Sequence, residues 1–191
     1  MTIATPKAES VDAAGQPDGW SVVPGFHVEV EPNGVTRMIV AVPVSWLAEV
    51  HAGLIRALEG PVGLLYRQRV DRRAPRPEGA PPRDFVALEL DADVLITAFR
   101  ECSDLVYHDA RAEYWVRGAR GEQLILDPDG LMFLYPADPS FRDVLLGFGL
   151  PEGEFDAMVD RDYVRHWFHA ECDVLERALI DGLGLVEISH H

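Results

Sequence analysis

Three short apolar segments near the middle of the chain constrain its fold most. Glu113 to Arg117, Glu122 to Leu126 and Leu131 to Tyr135 are strand-length runs, separated by Gly118-Ala119-Arg120-Gly121 and Asp127-Pro128-Asp129-Gly130. Glycine tolerates positive φ, and Asp and Pro favour turns, so both separators predict tight connections in an antiparallel meander. Side chains alternate between faces along a strand. Here both faces are apolar: Leu131, Phe133 and Tyr135 point one way and Met132 and Leu134 the other, while Trp115 and Ile125 oppose Tyr114, Val116, Leu124 and Leu126. A sheet apolar on both faces must be covered on both. Either C-terminal helices or a partner chain supplies the second cover, and a bare face is an interaction surface.

Around this meander the hydrophobic period switches between two and 3.6 residues. Phe26, Val28 and Val30 alternate with polar neighbours, Pro32-Asn33-Gly34 supplies a turn, and Met38 to Val42 return. Leu47, Val50, His51, Leu54 and Leu58 recur at helical spacing up to Gly60-Pro61. Val62 to Val70 and Phe85 to Leu90 read as strands flanking a proline-rich loop. Asp91 or Asp93 caps a second helix carrying Leu95, Phe99, Cys102 and Val106, and Pro139 opens a short third one,. A longer helix is expected from Asp160 or Asp162 to about Asp181.

These elements predict an α+β fold. Its sheet, mixed or antiparallel, has about six to seven strands, with two helices packed on one face and C-terminal helices covering the other face or one end. Residues 1–22, rich in Ala, Ser, Pro and Gly, read as a disordered arm, and 23–191 as a single domain,. Within it, 23–136 form the sheet core and 137–191 a C-terminal helical segment. Leu47 and Leu95, Leu58 and Val106, and Tyr66 and Tyr114 are each 48 residues apart. This echo of two strand–helix–strand units suggests a ferredoxin-like duplication.

The formal net charge of -15 at pH 7 opposes binding to nucleic acid,. It is unevenly spread. Arg67, Arg69, Arg72, Arg73, Arg76 and Arg83 face only Asp71 and Glu78 in their segment, whereas Glu152 to Asp181 hold nine acids against three arginines. The basic loop either docks an anionic partner or offsets acidic neighbours. The two cysteines, Cys102 and Cys172, form no CxxC,. The N-terminus carries no apolar signal region and no apolar run has membrane-spanning length, so a cytoplasmic protein without a membrane partner is expected.

Portable catalytic motifs are missing: no GxGxxG, Walker A loop, GxSxG elbow, HExxH, EF-hand loop or paired CxxC occurs,. His166-x-x-His169-x-x-Cys172-Asp173 is the candidate constellation. On the expected helix, His166, His169, Asp173 and Glu176 share a face, where imidazole and carboxylate suit a divalent metal such as zinc. The spacing matches no strong consensus, and two further ligands would have to come from elsewhere. Glu171 falls within the apolar stripe of the same helix, where a carboxylate needs a partner or acts as a general acid or base. His51 sits on an apolar face of the first helix and is a second catalytic candidate.

The expectation for function is a non-enzymatic protein-binding module: an adaptor, an accessory subunit or an immunity-type protein, without a cofactor. Arg67, Arg69, Arg72, Arg73, Arg76, Trp115, Met132 and Leu134 are its candidate contact residues. The alternative is a small enzyme or metal-binding protein using Glu171 with His166 and His169. Homo-oligomerisation through the meander is compatible with either.

Overall fold

A computed structural model of the chain describes residues 5–71, 73, 81–156, 158–167 and 169–188. Arg72 and Arg76 of the basic loop and the terminal His190 and His191 lie outside the described residues.

The first hairpin forms as its turn chemistry requires. The Asn33 side chain accepts the Val35 amide at 2.9 Å and Gly34 takes φ +83°, joining β2 (Gly25–Val30) to β3 (Thr36–Ala41),. Helix α1 (Val44–Ala57) buries Leu47, Val50, Leu54 and Ile55 along one stripe,. Strands β4 (Val62–Gln68) and β5 (Arg83–Leu90) follow. Asp91 caps α2 (Ala92–Glu101), its carboxylate accepting the amides of Asp93 and Val94,. At Cys102 the chain breaks into a separate short helix, α3 (Ser103–His108). The meander is β6 (Ala112–Arg117), β7 (Gln123–Leu126) and β8 (Met132–Tyr135). Pro139 begins α4 (Pro139–Gly147), with Asp138 accepting the Ser140 amide,. The chain ends in α5 (Cys172–Gly182) and β10 (Val186–Ile188).

Eight strands form one sheet in the order β10-β5-β4-β6-β7-β8-β3-β2, every neighbouring pair antiparallel. The sequence indicates seven of them. The eighth, β10, has three residues with exposed side chains, too short for a period-two signal,. The strand order departs from the ferredoxin-like expectation. Strand β3 pairs with β2 and β8, and β4 pairs with β5 and β6, so the two strand–helix–strand units do not interleave. The turns after β6 and β7 fold the meander back until β8 lies against β3, which separates β3 from β4.

Among the described residues, all five α-helices lie on one face. Helix α1 packs on α2, α3 and α4, and α5 packs on α2 and α3. Their buried side chains, among them Leu54, Phe99, Phe141 and Leu179, share a core with Met38, Leu64, Val116, Leu124 and Leu134 of the sheet. The expected cover of the second face by C-terminal helices is therefore not what forms. Helix α5 is held on the same side as α1, through Glu176 to Tyr66 and Gln68 of β4.

Two further differences concern the ends of the chain. Within the segment read as a disordered arm, Ala8–Ser10 form β1, which pairs antiparallel with β9 (Tyr163–Arg165), and Lys7 and Ala8 are buried. The composition of such a segment does not register a strand whose partner lies some 150 residues away. The same pairing removes the expected long C-terminal helix. Residues 163–165 are extended, and the His166 amide donates to the Lys7 carbonyl at 2.8 Å, so helix α5 begins only at Cys172. No helix among the described residues is long and apolar enough to cross a membrane.

Candidate functional site

Directly paired residues of antiparallel strands project to the same face. The register therefore lines up one row across the helix-free face. Ile39 pairs with Phe133, Phe133 with Ile125, Ile125 with Trp115, Trp115 with Leu65, and Leu65 with Val86. His27 of β2 and Val186 of β10 extend the row to the two edges, so it crosses all eight strands. Val186 is 66% exposed. The row is the outward half of the two-faced pattern in the meander.

Cations lie against its aromatic rings. The Arg37 guanidinium is 5.5 Å from the centre of the Phe133 ring, and that of Arg67 is 5.2 Å from the centre of the Trp115 ring,. Both are anchored by carboxylates. Arg37 pairs with Glu29 and Glu31 and donates to the Tyr135 hydroxyl at 3.1 Å, while Arg67 makes a two-point contact with Asp84 at 3.0 and 2.8 Å,. The Trp115 indole N–H donates to Glu113 at 2.9 Å, and Glu113 also holds Arg69. Between Trp115, Phe133 and Trp167 runs a groove of about 530 Å3, bordered by Arg37, Arg69 and Arg165.

Sequence candidates separate clearly once placed. Trp115 lies on the open face, but Met132 and Leu134 are fully buried on the helix side and cannot contact a partner. The one-residue alternation explains this, since Phe133 between them faces out. The arginines of the basic loop are balanced within the chain. Arg67 meets Asp84, Arg69 meets Glu113, Arg73 meets Asp71 and Glu176, and Arg83 meets Glu187. In the described part of the loop the arginines thus offset acidic neighbours.

The C-terminal candidates do not share a helix face. His166 follows β9 with its Nε2 3.4 Å from a Glu9 carboxylate oxygen, and His169 offers its carbonyl to Arg111 at 2.9 Å. Asp173 pairs with Arg111 at 2.8 Å. Glu171 is exposed in the turn before α5, outside any apolar stripe. Among the described residues no group of three or more His, Cys, Asp or Glu is placed to hold a metal ion. His51 is a core residue. It stacks on Phe99, its Nδ1 lies 3.2 Å from the Tyr107 hydroxyl, and burial, helped by the Lys7 charge, pushes its imidazole down to about 3,.

Two buried polar groups escape the sequence reading. The first is centred on Glu176, which is fully buried one turn beyond Asp173. It accepts from the Tyr66 hydroxyl and from the Gln68 amide at 2.8 Å, and pairs with Arg73 and Arg111. Arg111 in turn makes two contacts with Asp109, both at 3.0 Å. Burial and the neighbouring hydroxyl and carboxylate push the Tyr66 phenol well above its ordinary range. Every member is satisfied, which marks a clamp between α5 and the sheet rather than a reaction centre. The spacing of Cys172, Glu176, Leu179 and Leu183, at i, i+4, i+7 and i+11, was the available signal, since it puts Glu176 on the buried face of α5,.

The second group is Lys7, the only lysine of the chain. Burial pushes its amine down to about 8, against the pull of Asp127, Asp109, Asp129 and Glu113. Asp127 moves the other way, up to about 7, through burial and the adjacent Asp129. A lone lysine in a chain with sixteen arginines was the available signal.

Compared with known protein families, with curated proteins and with solved structures, the chain matches none.

Proposed function

We propose that this protein is a non-enzymatic binding module that docks a basic protein through the helix-free face of its sheet. The observation that carries this reading is the apolar row from Ile39 through Phe133, Ile125, Trp115 and Leu65 to Val86, on a face where no helix packs. Ile39 and Ile125 are buried in the row, and Phe133, Trp115, Leu65 and Val86 are half-buried, so these four supply its accessible part. An accessible apolar strip rimmed by polar residues is characteristic of interaction sites. Aromatic residues and arginines, the types most enriched among strong contact residues, occupy its centre. The net charge of -15 supports a basic partner and opposes pairing of two copies of the chain,. A reducing compartment suits the free thiols Cys102 and Cys172, so the cytoplasm goes with this reading,. The alternative of an enzyme or metal protein built on Glu171 with His166 and His169 lacks comparable support, because among the described residues no group of three or more His, Cys, Asp or Glu is placed to hold a metal ion.

Site-specific photo-cross-linking tests the proposal. A photoreactive residue at Val186, at the end of the row, should capture a basic protein in cells. The same residue at Val174, exposed on α5, should not. Equal capture from both positions, or an adduct of twice the chain mass from Val186, would overturn the proposal.

A further inference from the structure

A cavity of about 300 Å3 lies between the N-terminal segment and the body of the fold, and it shares only Asp129 with the groove on the open face. Residues 6–10 and 20–22 form one wall, and Val42, Leu47, Leu131 and Met158 supply much of the rest. Short contacts hold the segment that makes the wall. Strand β1 pairs with β9 over three residues, and Arg161 meets Asp18 and the Trp20 ring.

The polar groups around this space are spent elsewhere. Ser10 donates to Asp18 at 2.8 Å and accepts from Arg161 at 2.9 Å; Glu9 faces His166; Asp129 is held by Arg165 and Tyr163; and the Tyr107 hydroxyl meets His51. The Lys7 ammonium donates to the Val106 carbonyl at 3.2 Å and lies 5.1 Å from the centre of the Tyr114 ring, and neither of those residues lines the cavity. The backbone is engaged as well. The Lys7 carbonyl accepts the His166 amide, the Ser10 carbonyl accepts that of Asp18, and the amide and carbonyl of Leu131 both bond to Asp127. A water molecule needs about two to four polar partners to be held, and a cavity that lacks them takes hydrocarbon instead.

We propose that this cavity is a binding site for a small uncharged apolar molecule, held by shape and dispersion contacts between the N-terminal segment and the start of α1. A cavity of about 150 Å3 accepts benzene, so one of about 300 Å3 accommodates roughly twelve carbon atoms by proportion,. Charge of either sign is selected against. An anion meets the carboxylates of Glu9 and Asp129 at the wall, and a cation finds both already engaged. Either ion would lose its hydration without gaining a counter-ion.

Naphthalene, with 2-naphthoate and 2-naphthylmethylammonium as its charged counterparts, tests this on the full chain. Of the four methionines, Met158 lines the cavity, while Met38 and Met132 are buried in the sheet. With carbon-13 at the methionine methyls, naphthalene should move the Met158 resonance and leave those of Met38 and Met132 in place. It should bind at least about ten-fold more tightly than either charged compound, a small part of the cost of burying an unpaired charge. Val44→Trp, which fills the cavity from the half-buried start of α1, should weaken naphthalene binding by a similar factor. A Met158 resonance unmoved by saturating naphthalene, equal movement of all three resonances, or equal binding of either charged compound overturns the proposal. The labelled native chain decides the question even if Val44→Trp does not fold.

Discussion

The guanidinium of Arg67 lies 5.2 Å from the centre of the Trp115 ring while making a two-point contact with Asp84. Strand pairing places all three on the helix-free face, since Arg67 is opposite Asp84 on one side and Trp115 is opposite Leu65. The carboxylate fixes the planar cation, and the cation in turn holds the indole. Trp115 is therefore a rigid, half-buried aromatic at the middle of the apolar row, the arrangement expected of a contact residue that dominates docking.

Trp115→Ala should reduce the affinity for the captured partner by at least about 30-fold, the effect of losing about 2 kcal/mol at a dominant contact. The cost to folding should be smaller than the roughly 3–5 kcal/mol typical of fully buried aromatics. Calorimetric titration of the partner and urea unfolding of the variant measure the two effects.

Adjacent residues on β8 should behave oppositely. Leu134 is fully buried among the core side chains, so Leu134→Ala should destabilise the fold by about 2–5 kcal/mol,. Partner affinity per folded molecule should stay within about two-fold, the scatter expected of a residue outside the contact. Phe133→Ala should weaken the partner complex with a smaller loss of stability. Finding both effects on the same residue would contradict the division of faces.

Glu176 is the carboxylate shared by Tyr66, Gln68, Arg73 and Arg111. Glu176→Ala leaves Arg111 with reduced counter-charge and a buried hydroxyl without its acceptor. The loss should be about 3–5 kcal/mol, the range for breaking a buried ion pair from one side. Replacing Glu176 and Arg111 together with Leu and Met should cost less than the sum of the single changes. Thermal melts of the three variants provide the cycle.

Stability should also depend on pH through Lys7 and Asp127. Between about 8 and its ordinary value of 10.5, Lys7 is deprotonated in the fold but protonated in the unfolded chain. The unfolded state then binds the extra proton, so this contribution to stability rises with pH. Asp127 has the opposite sign: between 3.8 and about 7 it is protonated in the fold and ionised when unfolded, so its contribution falls as pH rises,. Lys7→Met should flatten the alkaline limb, and Asp127→Asn should remove the decline on the acid side. Urea midpoints collected from pH 4 to pH 10 check both slopes.

Much of the fold is legible along the chain because its signals are local. The Asn33-Gly34 turn, the Asp91 cap, Pro139 at the start of α4 and both meander turns follow from the conformational preferences of single residues,. Strand β9 and the start of α5 are not legible in this way. The sequence around His166 and Glu171 is compatible with a helix, and only pairing with Ala8–Ser10 selects the extended form. Propensity is weak enough for such distant hydrogen bonds to override it.

Sequence alone determined that the meander carries two apolar faces, because side-chain alternation in a strand is a local geometric rule. It also determined that Trp115 and Ile125 share one of them. Tertiary structure decided which face is left open. The five α-helices of the described residues pack against the side of Met132 and Leu134, and the register then joins Trp115 to residues of the other strands of the eight-stranded sheet. It also decided that Lys7 is buried beside a cavity and that Glu176 joins α5 to the sheet. Those outcomes depend on contacts between residues more than 90 positions apart, such as Lys7 with Val106 and Tyr66 with Glu176. No local pattern encodes such contacts, because their energy exists only once the chain has closed around them.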